Sequence, residues 1–331
     1  MIKIKISTST PDWPLLRQTS QSKGVVGNCL FFVDNYKNQD FDYWIVYDDL
    51  VNAEETVCYK DNLFLITPEP PTVKHYSNKF VSQFSTIITC QRNIKHQNIL
   101  FEQQALPWHV GRNQKNHENI GFSLDYDSLK KINIDNIERK LLSVIISNKA
   151  FTAGHKRRLK FVEYLLAQKD ISLDVFGRGF NEIADKWDTV YNYKYHLVLE
   201  NFIVNDYWTE KLSDCFLGGA YPIYSGAPNI EKYFDKRSLN QINIDNFNKS
   251  KEIILKTIRS NKYEEAFPFI IDSRNKVLEE YNIFPFIVNI INKRFSNGGI
   301  KEKIHLMPNR ACISTMERIE LRISKFGNKY L

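Results

Sequence analysis

Arg158, Lys211 and Glu210 are the side chains whose types and placement suggest chemistry first. Lys211 and Glu210 fall within KYHLVLENFIVNDYWTEKLSDCFLGGAYPIYSGAPNIEKYFD, residues 194–235. HLVL has the length of a buried strand. Glu200, Asn201, Asn205 and Asp206 follow it as a polar loop with no reason to be buried. A helix then opens near Tyr207, with Asn205 or Asp206 as its cap. Trp208, Leu212, Cys215 and Phe216 form its apolar stripe, and Gly218 and Gly219 end it. The strand YPIY comes next, then Pro228 at a first helical turn. Arg157 and Arg158 stand near the start of an earlier helix, His155 to Gln168, whose core face is Leu159, Val162, Leu165 and Leu166. In a parallel sheet both helix starts face the crevice at the strand carboxyl ends, where anionic ligands bind. Two cations and two helix N-termini suit a diphosphate leaving group, because they neutralise the charge that grows as its bond breaks. Glu210 can accept hydrogen bonds from ribose hydroxyls. Exposed Arg and Lys are usually only solvated, so the pairing draws its weight from position.

Glu69, in TPEPP after a strand, is a candidate general base held by prolines across an interdomain cleft. A turn acid beside prolines is the commoner meaning of such a residue. Other patterns carry less. Asp125-Tyr-Asp127 has metal-clamp spacing but lies in an apparent linker. Gly177-Arg-Gly179 lacks the third glycine of a dinucleotide fingerprint. Asp48 and Asp49 read as the end of a strand. The histidines give no HExxH, and neither GxSxG nor a P-loop occurs, which leaves hydrolase and NTPase readings unsupported.

The elements that must position these groups follow from the whole chain. Its 331 residues exceed what one core usually organises, so two domains are expected. Hydrophobic content of 43% and aromatic content of 13% fit core-forming domains. No run approaches the roughly 18–20 apolar residues of a membrane span, and MIKIKIST alternates like a strand rather than a signal peptide. Five scattered cysteines without CxxC argue against a disulfide framework or zinc site and fit a reducing cytoplasm. The net charge is +7, and from Lys293 onward nine Lys/Arg face three Glu. Such a balance admits anionic ligands, an anionic membrane surface or nucleic acid.

Strand patterns at 2–8, 42–49 and 61–71, with mixed elements to about 90, predict a Rossmann-like α/β unit over residues 1–139. Residues 111–140 read as a polar linker. Strands at 140–149 and 171–180, the stretch 194–235, LNQINI and two later helices predict a second α/β domain over 140–300. Residues 301–331 are expected as a basic helical tail. There Ile313, Met316, Ile319, Ile323 and Phe326 form a stripe that either packs on the body or rests on an anionic membrane.

Residues 195–235 resemble the donor-binding signature of the α-1,3/1,4-fucosyltransferases, glycosyltransferase family 10. Tyr195, Leu197, Leu199, Glu200 and Asn201 carry its first part. Asp206, Tyr207, Thr209, Glu210, Lys211 and Asp214 carry its DYxTEKxxD run, and Pro222, Ile223, Tyr224, Gly226, Pro228 and Asn229 its PIYxGxPN run. Upstream, Arg158, Phe161 and Leu165 match the family's R-x-x-F-x-x-x-L helix, and Glu69-Pro70-Pro71 is similar to its E-S-P segment. Phe202-Ile203-Val204 departs from the polar residues usual after E-N.

The resemblance implies an inverting transferase of GT-B fold, with two Rossmann-like domains facing an interdomain cleft. It implies GDP-fucose as donor and a glycan hydroxyl as acceptor. Arg158 and Lys211 would hold the diphosphate, Glu210 the ribose, and Asn201 and Tyr207 would shape the pocket. Glu69 would be the base. No protein-bound metal is obligatory, and a divalent ion is at most stimulatory. The expected setting is cytoplasmic, at the inner membrane face, in surface-polysaccharide or LPS-type synthesis, without nucleic acid as partner. Three other readings stay open: a GT-B transferase for another nucleotide sugar, a non-catalytic glycan-binding relative, and a nucleic-acid binder, which the basic balance suggests but no recognisable motif supports.

Overall fold

The computed structural model describes residues 1–35, 39–115, 118–135, 137–148, 150, 152–294 and 299–318. It contains two compact α/β units. The first comprises Met1–Leu16, Gly24–Gln104 and Arg294–Leu331. Its strands are β1 (Ile2–Thr8), β2 (Val25–Val26), β3 (Cys29–Val33), β4 (Tyr43–Tyr47), β5 (Glu54–Cys58), β6 (Leu63–Thr67), β7 (Thr86–Thr89) and β8 (Ile99–Phe101). Seven of them form one sheet in the order β2-β3-β1-β4-β6-β7-β8, parallel except at β2. YWIVY and LFLIT are buried at every position, as expected of strands covered on both faces.

The second unit comprises Arg17–Lys23 and Ala105–Lys293. It opens with a hairpin, β9 (Arg112–Lys115) and β10 (Glu118–Phe122). Its sheet holds β11 (Lys140–Ile145), β12 (Asp174–Phe176), β13 (Tyr193–Leu199), β14 (Tyr221–Ser225) and β15 (Asn240–Gln241). All are parallel, in the order β12-β11-β13-β14-β15. This is the doubly wound order whose direction reverses between β11 and β13, so the ligand crevice is expected over the carboxyl ends of those two strands. The helices, counting from α1 (Asn78–Val81) in the first unit, are α2 (Tyr126–Lys131), α3 (Ala153–Leu166), α4 (Trp187–Tyr191), α5 (Glu210–Leu217), α6 (Phe247–Ile258), α7 (Lys262–Glu279) and α8 (Ile283–Arg294).

The pair of α/β units expected of the GT-B class is therefore present, but its boundary is corrected. It falls after Gln104, not at 139/140. Trp108, Val110 and Leu129 are buried in the core of the second unit, so residues 111–140 are no linker. Three buried arginines bind this segment into the unit. Arg17 donates to the carbonyls of Trp108, Val110 (3.2 Å) and Leu124 (2.7 Å). Arg139 donates to those of Ile134, Val190, Tyr193 and Gly218. Arg274 donates to those of Leu129, Ile132 and Leu217. Val190 and Leu217 lie at helix ends, where a cation complements the exposed carbonyls.

The helical tail expected over 301–331 is corrected as well. Glu302–Leu306 is a strand, antiparallel to β5. Leu306 and Cys312 join the first unit's core, and Asn309 bonds to Ser77, His75 and Asp49. Met316 is exposed. Ile319, Ile323 and Phe326 of the proposed stripe lie outside the described residues.

Candidate functional site

A cavity of about 640 Å³ lies in the second unit, over the carboxyl ends of β11, β12 and β13. The strand ends contribute Ile146 and Ser147, Gly177 and Arg178, and Asn201; α3 adds His155 and Arg158, and α5 adds Glu210 and Lys211. This is the crevice the strand order dictates. Both helices point their N-termini at it, each worth about 0.3–1 kcal/mol to a nearby anion. Arg112, Arg158, Arg178, Lys186 and Lys211 face only Glu182 and Glu210 among the charged lining residues. The cavity thus suits an anion with a polar remainder.

Close backbone approach sets the start of α3. Thr152 caps it by accepting from the His155 N–H. A side chain at Gly154 would place its first carbon 1.8 Å from the Asn201 carbonyl oxygen. Only glycine lets the first turn of α3 lie against the end of β13. Arg158, one turn on, is buried and donates to the Leu199 carbonyl at 3.2 Å. Its Nε has no hydrogen-bond partner among the described residues, and neither does the buried Oδ1 of Asn201 beside it in the lining. Burial lowers the Arg158 pKa, partly offset by Glu200 and Glu210. Buried donors and acceptors are almost always paired in folded proteins, so an unpaired guanidinium N–H and amide oxygen in one cavity mark ligand contacts.

The start of α5 differs from the expectation. Thr209, not Asn205 or Asp206, is its cap. Asp206 lies in the left-handed region at φ 68°. Its Oδ1 accepts from Asn229 (2.8 Å), Tyr233 (2.7 Å) and Lys232 (3.2 Å), which fastens the loop after β13 to the segment after β14. Nor is this loop solvated. Glu200 is fully buried. Its carboxylate accepts from the Thr209 N–H at 2.8 Å and hydroxyl at 2.8 Å, and stands 3.4 Å from Lys211 Nζ. Burial raises the Glu200 pKa despite Lys211.

Lys211 Nζ also contacts Thr209 Oγ1 at 2.9 Å and Glu210 Oε1 at 3.2 Å. The Lys211 pKa is raised because the two glutamates outweigh its burial. Burial would raise Glu210, yet Lys211 and Lys186 hold it well below the usual range. One carboxylate in the cavity is thereby firmly ionised, next to a firmly charged ammonium.

Of the sequence-proposed residues, the cavity brings together Asn201, Arg158, Glu210 and Lys211. Tyr207 is buried with its ring edge-on to Phe202 at 6.1 Å and is not a lining residue. Arg157 pairs with Asp245 at 3.5 Å instead of joining Arg158. Glu69 belongs to the other unit, half-buried just beyond the end of β6, with its carbonyl accepting from Gln91.

Sequence reasoning missed His109, Arg112, Arg178 and Lys186. The glycine turn at 177–179 was the available signal for Arg178. Lys186 Nζ lies 3.1 Å from His109 Nδ1 and 3.8 Å from Glu210 Oε1. Burial and Lys186 pull the His109 pKa down to about 3, so the ring is neutral and accepts from the lysine. Among the described residues no group of three or more His, Cys, Asp or Glu is arranged to hold a metal, and no helix is long and apolar enough to cross a membrane.

The cationic crevice thus lies over the switch point of a doubly wound parallel sheet, the place where such sheets bind ligands. Residues 137–267 match the C-terminal domain of glycosyltransferase family 10 (fucosyltransferase). Over 121 residues, 35% of the chain, it is 31% identical to the mouse (Mus musculus) 4-galactosyl-N-acetylglucosaminide 3-alpha-L-fucosyltransferase 9. It is 32% identical to the same enzyme of Bos taurus over an equal length. The matched stretch spans 32% of each of these relatives. A crystal structure of an alpha1,3-fucosyltransferase aligns with a TM-score of 0.48 at 16% identity, covering 86% of this chain and 92% of that one.

Proposed function

We propose that the protein is an inverting fucosyltransferase that moves fucose from GDP-fucose to a hydroxyl of a glycan acceptor. The observation that carries this reading is the cavity over β11 and β13, where Arg158 and Lys211 stand at the starts of two helices beside the unpaired Asn201 Oδ1. The family match over residues 137–267 and the fucosyl transfer in the relatives' names support the choice of sugar.

In this mechanism Arg158 and Lys211 bind the diphosphate and stabilise its charge as the bond to the sugar breaks. Asn201 hydrogen-bonds the donor, Glu210 accepts from the ribose hydroxyls, and Tyr207 supports the pocket from behind. An acceptor hydroxyl, deprotonated by a carboxylate, attacks the sugar carbon in a single displacement. Glu69 is our candidate for that base. The acceptor we propose is a surface polysaccharide of LPS type, elongated in the cytoplasm, where the basic C-terminal residues meet the anionic inner face of the membrane.

The test is a product assay with GDP-fucose against a glycan acceptor array, preceded by thermal-shift measurements with GDP-fucose, GDP-mannose, and UDP- and CMP-sugars. We expect a shift with GDP-fucose and a fucosylated product. A shift with a UDP-sugar and none with GDP-fucose overturns the donor assignment. Donor binding without transfer to any acceptor favours a glycan-binding relative.

A further inference from the structure

We propose that Lys186 is a further donor-binding residue, whose ammonium hydrogen-bonds the donor diphosphate, and that His109 is the positioning residue that aims it without cancelling its charge. This rests on the nucleotide-sugar reading above. The backbone brings the two side chains together. Asp185 Oδ1 accepts the N–H groups of Gly111 and Trp187, both at 2.9 Å, and the Gln114 N–H donates to the Ala184 carbonyl at 2.8 Å. The segments that carry His109 and Lys186 are thereby fastened to each other. Asp214 Oδ1 accepts the N–H groups of His109 (2.9 Å) and Val110 (3.2 Å), which fixes His109 against α5, the helix of Glu210 and Lys211.

The contact between the two side chains is an ammonium on an imidazole nitrogen. Lys186 Nζ lies 3.1 Å from His109 Nδ1. An ammonium can only donate, so Nδ1 accepts, and the ring is neutral with its proton on Nε2. The burial that holds His109 down to about 3 agrees. The lysine thus gains an orienting partner that carries no countercharge. Among the described residues Lys186 Nζ makes no second hydrogen bond. Its carboxylate neighbour there is Glu210, whose Oε1 at 3.8 Å lies beyond hydrogen-bond reach. Two of the three N–H groups are left for a ligand.

Lys211 is placed differently. Thr209 Oγ1 (2.9 Å), Glu210 Oε1 (3.2 Å) and Glu200 Oε2 (3.4 Å) already surround its ammonium, and two of these oxygens belong to carboxylates. Lys211 gives the cavity charge but has little hydrogen-bonding capacity to spare. Glu210 Oε1 has both ammonium groups beside it, so Lys186 stands next to Lys211 at the start of α5, in the lining they share with Arg158 and Asn201. Lys186 therefore supplies the direct hydrogen bonds to phosphate oxygens that Lys211 cannot. A compact ammonium with donors to spare is suited to that contact.

The experiment is calorimetric titration with GDP and GDP-fucose of wild type, Lys186→Met, His109→Asn, His109→Ala and His109→Asp. Lys186→Met keeps the apolar stem and should weaken both ligands about 10- to 100-fold, the worth of a hydrogen bond between charged groups. Its affinity should also fall less steeply with added salt than that of wild type, because one cation–phosphate contact is gone. Affinity equal to wild type, or an unchanged salt dependence, overturns the assignment of Lys186 to the diphosphate.

The His109 series tests the positioning role. His109→Asn keeps a neutral acceptor and should recover most of the affinity that His109→Ala loses. His109→Asp also keeps an acceptor but adds the countercharge, and should bind worst, about tenfold or more below His109→Asn. A residue that only held the fold would rank Asp with Asn, above Ala, and that ranking overturns the role. Thermal melts show which variants are folded at the titration temperature, with Lys186→Gln as the second variant should Met not fold. If wild type binds UDP and not GDP, only the donor assignment fails, and the same rankings measured with UDP support or overturn the proposal. If it binds neither, the nucleotide-sugar reading falls and this proposal falls with it.

Discussion

Two lysines in this molecule each bridge a pair of carboxylates, and their surroundings differ. Lys211, in the second unit, contacts Glu200 at 3.4 Å and Glu210 at 3.2 Å. Lys74, in the first, contacts Asp48 at 2.9 Å and Asp49 at 3.1 Å. Both aspartates follow β4, so this cluster also sits at the carboxyl end of a parallel sheet. Its neighbours, however, are acids and hydroxyls. Asp34, beyond the end of β3, accepts from Thr8, and Asp48 accepts from Ser9 and Tyr76. Around Lys211 stand Arg112, Arg158, Arg178 and Lys186, with two helix starts. The same architecture thus yields one sheet edge lined mainly by cations and one rich in carboxylates. Fold alone does not set the chemistry; the residues in the loops after the strands do.

The sharpest way to break this division of labour is Glu69→Gln. Loss of a general base costs about 10²–10⁴ in rate. We expect kcat to fall by that much while GDP-fucose affinity, measured by calorimetry, is unchanged. Full activity would move the base to another carboxylate of the same edge, and Asp48→Asn is the next variant to assay. Lys211→Ala should fall next, by about 10²–10³ in kcat/KM, the cost of removing one preorganised group from developing charge. Lys74→Ala removes an equivalent two-carboxylate bridge and should leave donor affinity within twofold, about 0.4 kcal/mol. If both lysine variants weaken the donor equally, the contrast between the two edges is false. Thermal melts of each variant separate lost binding from lost folding.

The strands were the most legible part of the sequence. HLVL and YPIY became β13 and β14, because a short apolar run buried on both faces has few other places to go. The helix after β13 was legible too, but its start was not. Asp206 looks like a cap in the sequence, yet its oxygen goes to Asn229 and Tyr233, groups 23 and 27 residues away. A local signal was overridden by distant partners that no periodicity reveals. Glu200 failed for the same reason: a carboxylate reads as exposed unless its buried partners, here Thr209 and Lys211, are known.

Arg158 and Lys211 were found because each lies near the start of a regular helix. His109 and Lys186 were missed because they come from irregular segments that lean on Asp214 and Asp185, and Arg112 because it opens a short hairpin strand with no apolar pattern. The domain boundary moved because Trp108 and Val110, a short apolar patch in a polar region, choose a core that sequence spacing does not identify.

The smallest expected effect separates a structural cap from a functional one. Thr209 caps α5 and donates to Glu200, while Ser77 caps α1 in the first unit by accepting from the Phe80 N–H. Removing either hydroxyl by substitution with alanine should lower unfolding stability by about 1 kcal/mol, the usual worth of a cap. The consequences for binding should diverge. Thr209→Ala takes one hydrogen bond from Lys211 Nζ and one from Glu200, so the ammonium is drawn further onto the glutamates. GDP-fucose affinity should then drop about threefold, or roughly 0.7 kcal/mol. Ser77→Ala should leave it unchanged, and Thr209→Ser should restore both stability and affinity, since it keeps the hydroxyl. Equal affinities for Thr209→Ala and Ser77→Ala would mean that the cap of α5 holds only the helix and that Lys211 finds its position without it.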